Sequence, residues 1–120
     1  MAHALRRGGR LDEALTVYRE TIDGWVHLGH RGAVANQLEN IAYVAVEQGD
    51  PDRAVRLLGA AETIREVGRS QMAFDEEPEY DAYLERARAA MAPSAFEGAR
   101  TEGRALSQSD AVTAALAAPR

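Results

Sequence analysis

Apolar residues recur along this chain three and four positions apart, and glycines interrupt the runs at Gly8-Gly9, Gly29, Gly49 and Gly68. That spacing sets side chains on one face of a helix, and a glycine just past such a run is a helix stop. The pattern predicts the end of a helix over residues 2–8. A second helix runs to about Leu28, with Ala14, Tyr18, Ile22 (or Thr21), Trp25 and Leu28 on its core face. Asp12 caps its start or complements its dipole. A third helix spans roughly Arg31 to Gln48 and buries Ala35, Leu38, Ile41, Ala42 and Ala45. Asp50 and Pro51 open a fourth as cap and first helical residue. Its stripe is Ala54, Leu57, Leu58, Ala61 and Ile64.

Residues 69–78 read as a polar link, and Asp75-Glu76-Glu77 ahead of Pro78 suits the start of a fifth helix. Tyr80, Tyr83, Leu84, Ala87 and Met91 form its face. Pro93 and Ser94 start a short sixth helix carrying Phe96 and Ala99, with its end expected near Gly103. Ser107 to Asp110 matches a capping box ahead of Val112, Ala115 and Leu116, and residues 117–120 are expected to fray. Seven helices and no strand make the predicted class all-α.

One pattern is stated twice, about forty residues apart. A helix-like stretch ends at Gly9 or Gly49, a short turn follows, and Ala14 or Ala54 precedes Tyr18 or Leu58 by one helical turn. A period of this size implies stacked helical hairpins, each burying its stripe against the next. The chain then divides into a repeat region over residues 1–68 and a helical capping segment of the same domain over 69–120. The first helix is short for a repeat, so the chain begins inside a longer array or its first hairpin is truncated. Either case exposes an apolar face on residues 2–25, and the alternative reading of the chain is a small homodimeric helical protein of structural role that pairs through the N-terminal hairpin.

Composition narrows the function. A chain of 120 residues is one domain at most. With no cysteine it has no disulfide, thiolate nucleophile or cysteine-ligated zinc, which fits a reducing, cytoplasmic setting. No apolar run is long enough to span a membrane, and the start lacks a secretory core. The net charge of -5 argues against direct nucleic acid binding, because an acidic chain gains nothing from a phosphate counterion atmosphere.

The two copies resemble tetratricopeptide repeats. Leu38, Ile41-Ala42, Ala45, Gly49, Ala54, Leu58 and Ala61 stand where that family places its interlocking large and small residues, and Gly9, Leu11, Ala14, Tyr18 and Thr21 match in the first copy. Pro51 replaces the family's usual aromatic, and the spacing exceeds its 34 residues. The fold implied is a tetratricopeptide-like α–α hairpin superhelix with a C-terminal helical cap. Segments 9–15, 52–62 and 102–107 are further similar to the C-terminal helical region of actinobacterial LuxR-type or AfsR-type regulators that carry an ATPase module; Arg100 stands where such sequences often have tryptophan. That likeness implies a place in signalling and transfers no catalytic residue.

Sites for chemistry are sparse. His27 and His30 are separated by a helix-breaking Gly29, His3 lies near the terminus, and no His-Glu-x-x-His spacing occurs. Glu62 and Glu66 share a helix face, and residues 75–81 are rich in acids, but both read as solvated or dipole-complementing charges rather than a paired-carboxylate site. No phosphate-cradling glycine motif and no serine with a coherent base is present. The sequence therefore calls for no enzyme, metal or cofactor. The candidate interaction surface is Asn36, Glu39, Asn40, Tyr43 and Glu47, which the repeat register turns toward the inner side of the hairpin stack. Asparagine amides there suit a peptide backbone and Tyr43 supplies a flat ring. The partner expected is a polar or basic protein or peptide segment, or another domain of a parent protein.

Overall fold

A computed structural model describes residues 2–117. Among them are seven α-helices: α1 (Ala2–Arg7), α2 (Leu11–His27), α3 (Arg31–Glu47), α4 (Pro51–Gly68), α5 (Glu77–Ala89), α6 (Pro93–Arg104) and α7 (Gln108–Leu116). A 3-10 turn, Phe74–Glu76, precedes α5. The described residues contain no strand. Of the four residues expected to fray, 118–120 lie outside the described part.

The start and stop signals act as local chemistry requires. Asp50 accepts from the Arg53 N–H at 3.3 Å and Pro51 is the first residue of α4. Ser107 accepts from the Asp110 N–H at 3.1 Å and caps α7. At α2 the cap position is Arg10, which makes no side-chain cap bond, so Asp12 acts only through its charge in the first turn. Gly9, Gly29 and Gly49 follow their helices with φ of +83°, +70° and +78°, a region open to glycine at little cost.

The core is one main cluster. Ala14, Leu15, Tyr18 and Ile22 of α2 meet Val34, Ala35, Leu38, Ile41, Ala42 and Ala45 of α3, and α3 meets Ala54, Leu57, Leu58, Ala61 and Ile64 of α4. Ala111, Val112 and Ala115 of α7 pack on this cluster. A smaller cluster, Val55, Ala87, Phe96 and Ala99, joins α4 to α5 and α6. The α3 and α4 stripes are buried as the spacing predicts. The α2 stripe stops short: Leu28 is 72 % exposed, because α2 ends at His27 and the turn carries the next side chain outward. Trp25 is half-buried at the edge of the core, with its ring edge-on to His30.

Gly103 stands one residue before the end of α6 at Arg104, close to where the sequence expects the helix to stop. It lies inside the helix, where its missing side chain lets α6 rest on α4. A Cβ there would collide with the Arg56 carbonyl, and one at Gly59 would lie 2.6 Å from the Arg100 carbonyl oxygen. Two glycines thus set the closest approach of these helices. Gly103→Ala and Gly59→Ala are each expected to lower stability by about 1–3 kcal/mol through overpacking. Gly98→Ala, which meets nothing within 4 Å, is expected to be neutral or to raise it by up to about 1 kcal/mol through helix propensity. Thermal unfolding of the three variants decides this; a fall at Gly98 equal to that at Gly103 would remove the close-approach explanation.

Arg19 on α2 buries Nε and Nη2 with no hydrogen-bond partner among the described residues. Desolvated donors left unmade cost about 1–3 kcal/mol. Arg19→Met keeps the apolar stem and is expected to raise the unfolding midpoint; a lower midpoint would show that the guanidinium is favourably placed.

Candidate functional site

Asn36, Glu39, Asn40, Tyr43 and Glu47 lie three or four residues apart on α3, so helical geometry sets them in one stripe. Other parts of the chain engage all five. Asn36 Nδ2 donates to Glu76 Oε2 at 3.2 Å. Glu39 accepts two hydrogen bonds from Arg65, each 2.8 Å. Asn40 Oδ1 accepts from Arg6 Nε at 3.2 Å and Nη2 at 2.9 Å. The Tyr43 ring stacks on Tyr83 with centroids 4.5 Å apart and planes 12° apart. Glu47 accepts from the Tyr83 hydroxyl at 2.9 Å and from Arg86 at 2.6 Å.

The clustering of the five residues is as the spacing predicts, but their exposure is not. Glu39, Asn40 and Tyr43 are buried, because Arg65 of α4, Arg6 of α1 and Tyr83 of α5 lie over them in turn. The space left among His3, Arg7, Asn36, Tyr43 and Glu79 is about 10 Å³, room for roughly one water molecule. An extended peptide backbone has no place there in this arrangement. The basic counterpart that Glu39 and Glu47 suggest is supplied by the chain's own Arg65 and Arg86.

Sequence reasoning passed over the residue that gathers this network. Arg6 is 2 % exposed, a buried cation near the start of the chain. It donates to Asn40, to Glu79 at 2.8 Å and to the Tyr83 hydroxyl at 3.3 Å, and its guanidinium lies 5.0 Å from the Tyr43 ring centroid. No local pattern marks it, because its partners lie on α3 and α5.

The electrostatics follow from this pairing. Burial opposes ionisation of Glu79, but hydrogen bonds from Arg7 and Arg6 outweigh it and hold the carboxyl below its ordinary range. The Arg86 hydrogen bond lowers Glu47 in the same direction. For Glu62, bonds from Arg100 and Arg104 likewise overcome burial. Burial pushes the Glu39 carboxyl up while Arg65 pulls against it, and burial raises the Tyr43 phenol.

The histidines are dispersed. His30 Nδ1 accepts from the Ala33 N–H at 3.0 Å and caps α3, His3 meets the Tyr18 hydroxyl at 2.6 Å, and His27 is exposed. Among the described residues no group of three His, Cys, Asp or Glu side chains is placed to hold a metal ion. No described helix is long and apolar enough to cross a membrane. On the N-terminal hairpin, Ala2, Leu5 and Leu11 pack against the core. The large exposed apolar side chains among the described residues are Val26, Leu28, Val67 and Phe74.

A family model described as tetratricopeptide repeat matches residues 1–66, more than half of the chain. No curated protein and no solved structure matches it.

The lowered carboxylates give a pH signature. Their folded pKa values lie below an unfolded value of 4.5, so the stability they contribute is present above about pH 4.5. It is lost as pH falls through the lower folded values. Below about pH 6.5 the unfolding midpoint is expected to fall, because His3, its pKa lowered by burial, protonates more readily in the unfolded chain. Below about pH 4.5 it is expected to fall further through these carboxylates, and Glu79→Gln should lower the neutral midpoint and flatten the second drop. An acid limb unchanged in the variant would show that the Arg6–Arg7–Glu79 contact does not carry it.

Proposed function

The chain belongs to the tetratricopeptide repeat family, and from that premise we propose that it is an interaction module of a transcriptional or signalling regulator. It is a non-catalytic, all-helical scaffold. In this reading residues 1–68 form two repeats, the first truncated, and residues 69–120 cap them within the same domain. The work of the module is contact with a protein, a peptide or another domain of a parent polypeptide.

The observation that carries the reading is how α5 sits on α3. Asn36 meets Glu76 and Tyr43 meets Tyr83, both forty positions on, which is also the spacing of the sequence repeat. Stacked hairpins of this kind join through rigid, preformed helix faces. The α3 stripe of Asn36, Glu39, Asn40, Tyr43 and Glu47 is the contact face of the proposal. Its buried middle is taken up by the chain itself, Glu39 by α4, Asn40 by α1 and Tyr43 by α5, and Glu47 at its end still reaches solvent. Support for the regulatory context comes from the likeness of segments 9–15, 52–62 and 102–107 to the helical regions of LuxR-type and AfsR-type regulators.

A photoreactive residue at position 47 tests the reading in cells. It is expected to trap one defined protein or domain, and the same residue at Thr16, exposed on α2, is expected not to. Equal trapping from both positions, or none from position 47, removes the interaction-module assignment.

A further inference from the structure

The first four helices end in the same backbone turn. At α2 the Gly29 N–H donates to the Val26 carbonyl at 3.0 Å and the His30 N–H to the Trp25 carbonyl at 3.1 Å. Gly9 with Arg10 and Gly49 with Asp50 repeat this pair of bonds at α1 and α3. At α4 the pair is Arg69 to Glu66 at 3.3 Å and Ser70 to Arg65 at 2.8 Å. Three of the four turning residues are glycines. The fourth, Arg69, holds φ at +53°. A side chain in this region is strained where glycine is not. Strain kept at one of four equivalent turns points to a use for the side chain.

What surrounds Arg69 suggests that use. Arg69 is exposed and in no ion pair with the described residues, and the same holds for Arg31. The Arg31 stem lies on the end of α4, where a Cβ at Gly68 would be 3.1 Å from its Cδ. Three of the four large apolar side chains exposed among the described residues flank these two segments in sequence. Leu28 is three residues before Arg31, Val67 two before Arg69, and Phe74, 88 % exposed, follows the groove residue Ala73. Between the two chain segments runs an open groove of about 250 Å³, lined by His30, Gly32, Ala33, Ser70, Gln71 and Ala73 among others. The carboxylate in its wall, Glu76, is engaged by Asn36.

We propose that this edge docks an acidic segment of a partner protein that carries large apolar side chains. The partner's carboxylates meet Arg31 and Arg69, and its apolar side chains cover Leu28, Val67 and Phe74. Arg31 and Arg69 set where the acidic segment sits, and Asp75 and Glu77, exposed just beyond Phe74, orient it by turning its carboxylates toward the arginines. This surface is separate from the solvent end of the α3 stripe and adds to the interaction-module reading without depending on it.

The test uses the full chain and a blocked hexapeptide of alternating aspartate and leucine, with a lysine–leucine hexapeptide as control. In a two-dimensional amide NMR titration, shifts are expected at residues 28–33 and 67–74 with the acidic peptide and not with the basic one. Arg69→Gly separates the proposal from a structural role. It should raise the unfolding midpoint by roughly 2–4 °C as the turn relaxes, and weaken the acidic peptide about fivefold, equivalent to about 1 kcal/mol. Phe74→Ala, at a solvent-facing position, should weaken binding with the midpoint unchanged. Undiminished binding by Arg69→Gly, a lowered midpoint in that variant, or equal binding of the lysine peptide would each overturn the proposal. A concentration-dependent dimer that Arg69→Gly disperses would overturn it too, by naming a second copy as the occupant. Trapping from position 47 should be indifferent to Arg69→Gly.

Discussion

The structure depends on α4 being packed from more than one side. Ala54, Val55, Leu57, Leu58, Gly59, Ala60, Ala61 and Ile64 are all buried, so most of its circumference is closed to polar groups. A helix buried nearly all round must send its charges to its ends and flanks, and α4 does. Arg56 pairs with Glu102, Glu62 with Arg100 and Arg104, and Glu66 with Arg104, all reaching α6. Toward α3 the pair is Arg65 with Glu39, which is almost wholly out of water. The partly exposed pairs contribute little each, typically about 0–1 kcal/mol. The Glu39–Arg65 pair matters differently, since removing one partner would strand the other charge at a cost of about 3–5 kcal/mol. Apolar contact and two glycines bring the helices together, and the ion pairs restrict how they are rotated.

Arg6 carries that restriction across the sequence. Its buried guanidinium needs several acceptors to offset desolvation, and no single helix supplies them. Asn40 comes from α3, and Glu79 and Tyr83 come from α5. The Tyr43 and Tyr83 rings, 5.0 Å and 5.5 Å from its carbon centre, add cation–π attraction. The place of α1 therefore fixes the place of α5, more than seventy residues later. A network of this kind is strong while every member is paired and costly once one is missing. Tyr80, in the same helix as Glu79 and Tyr83, shows the dryness of the region, with its phenol pushed up to about 12 by burial.

Much of this is legible in the sequence, and the exceptions have physical causes. Helix ends are local events, so Gly29, Gly49, Asp50-Pro51 and Ser107 mark them clearly. The α3 and α4 stripes follow from spacing alone. Gly103 marks the end of α6 to within a residue, but its second role, letting α6 approach α4, is not legible, because only the neighbouring Arg56 carbonyl reveals it. Leu28 misleads because periodicity continues past the last helical residue. For the candidate site, spacing groups Asn36, Glu39, Asn40, Tyr43 and Glu47 correctly but says nothing of what covers them. Their burial depends on Arg65, on Arg6 and on a helix from beyond residue 76, and the alanine–glycine signature that marks the first two copies has faded there.

The forty-residue period itself has a structural source. α2 and α3 are 17 residues each, and the turns after them occupy residues 28–30 and 48–50, so two helices and two turns fill the period. The turns are already short. The excess over a usual repeat of about 34 residues must therefore lie in the helices, adding roughly 9 Å of rod shared between two of them. The α3 stripe from Asn36 to Glu47 consequently runs about 16 Å, and α5 answers it in parallel, with Glu76, Tyr83 and Arg86 against Asn36, Tyr43 and Glu47. α5 thus pairs with α3 in parallel at the repeat's own stagger, although its sequence no longer shows the repeat. The outward positions of α5, Asp81, Glu85 and Arg88, are exposed and charged. That side of α5 offers little apolar surface for a further helix to bury, whereas Leu28 and Val67, at the ends of α2 and α4, leave large apolar side chains open to solvent.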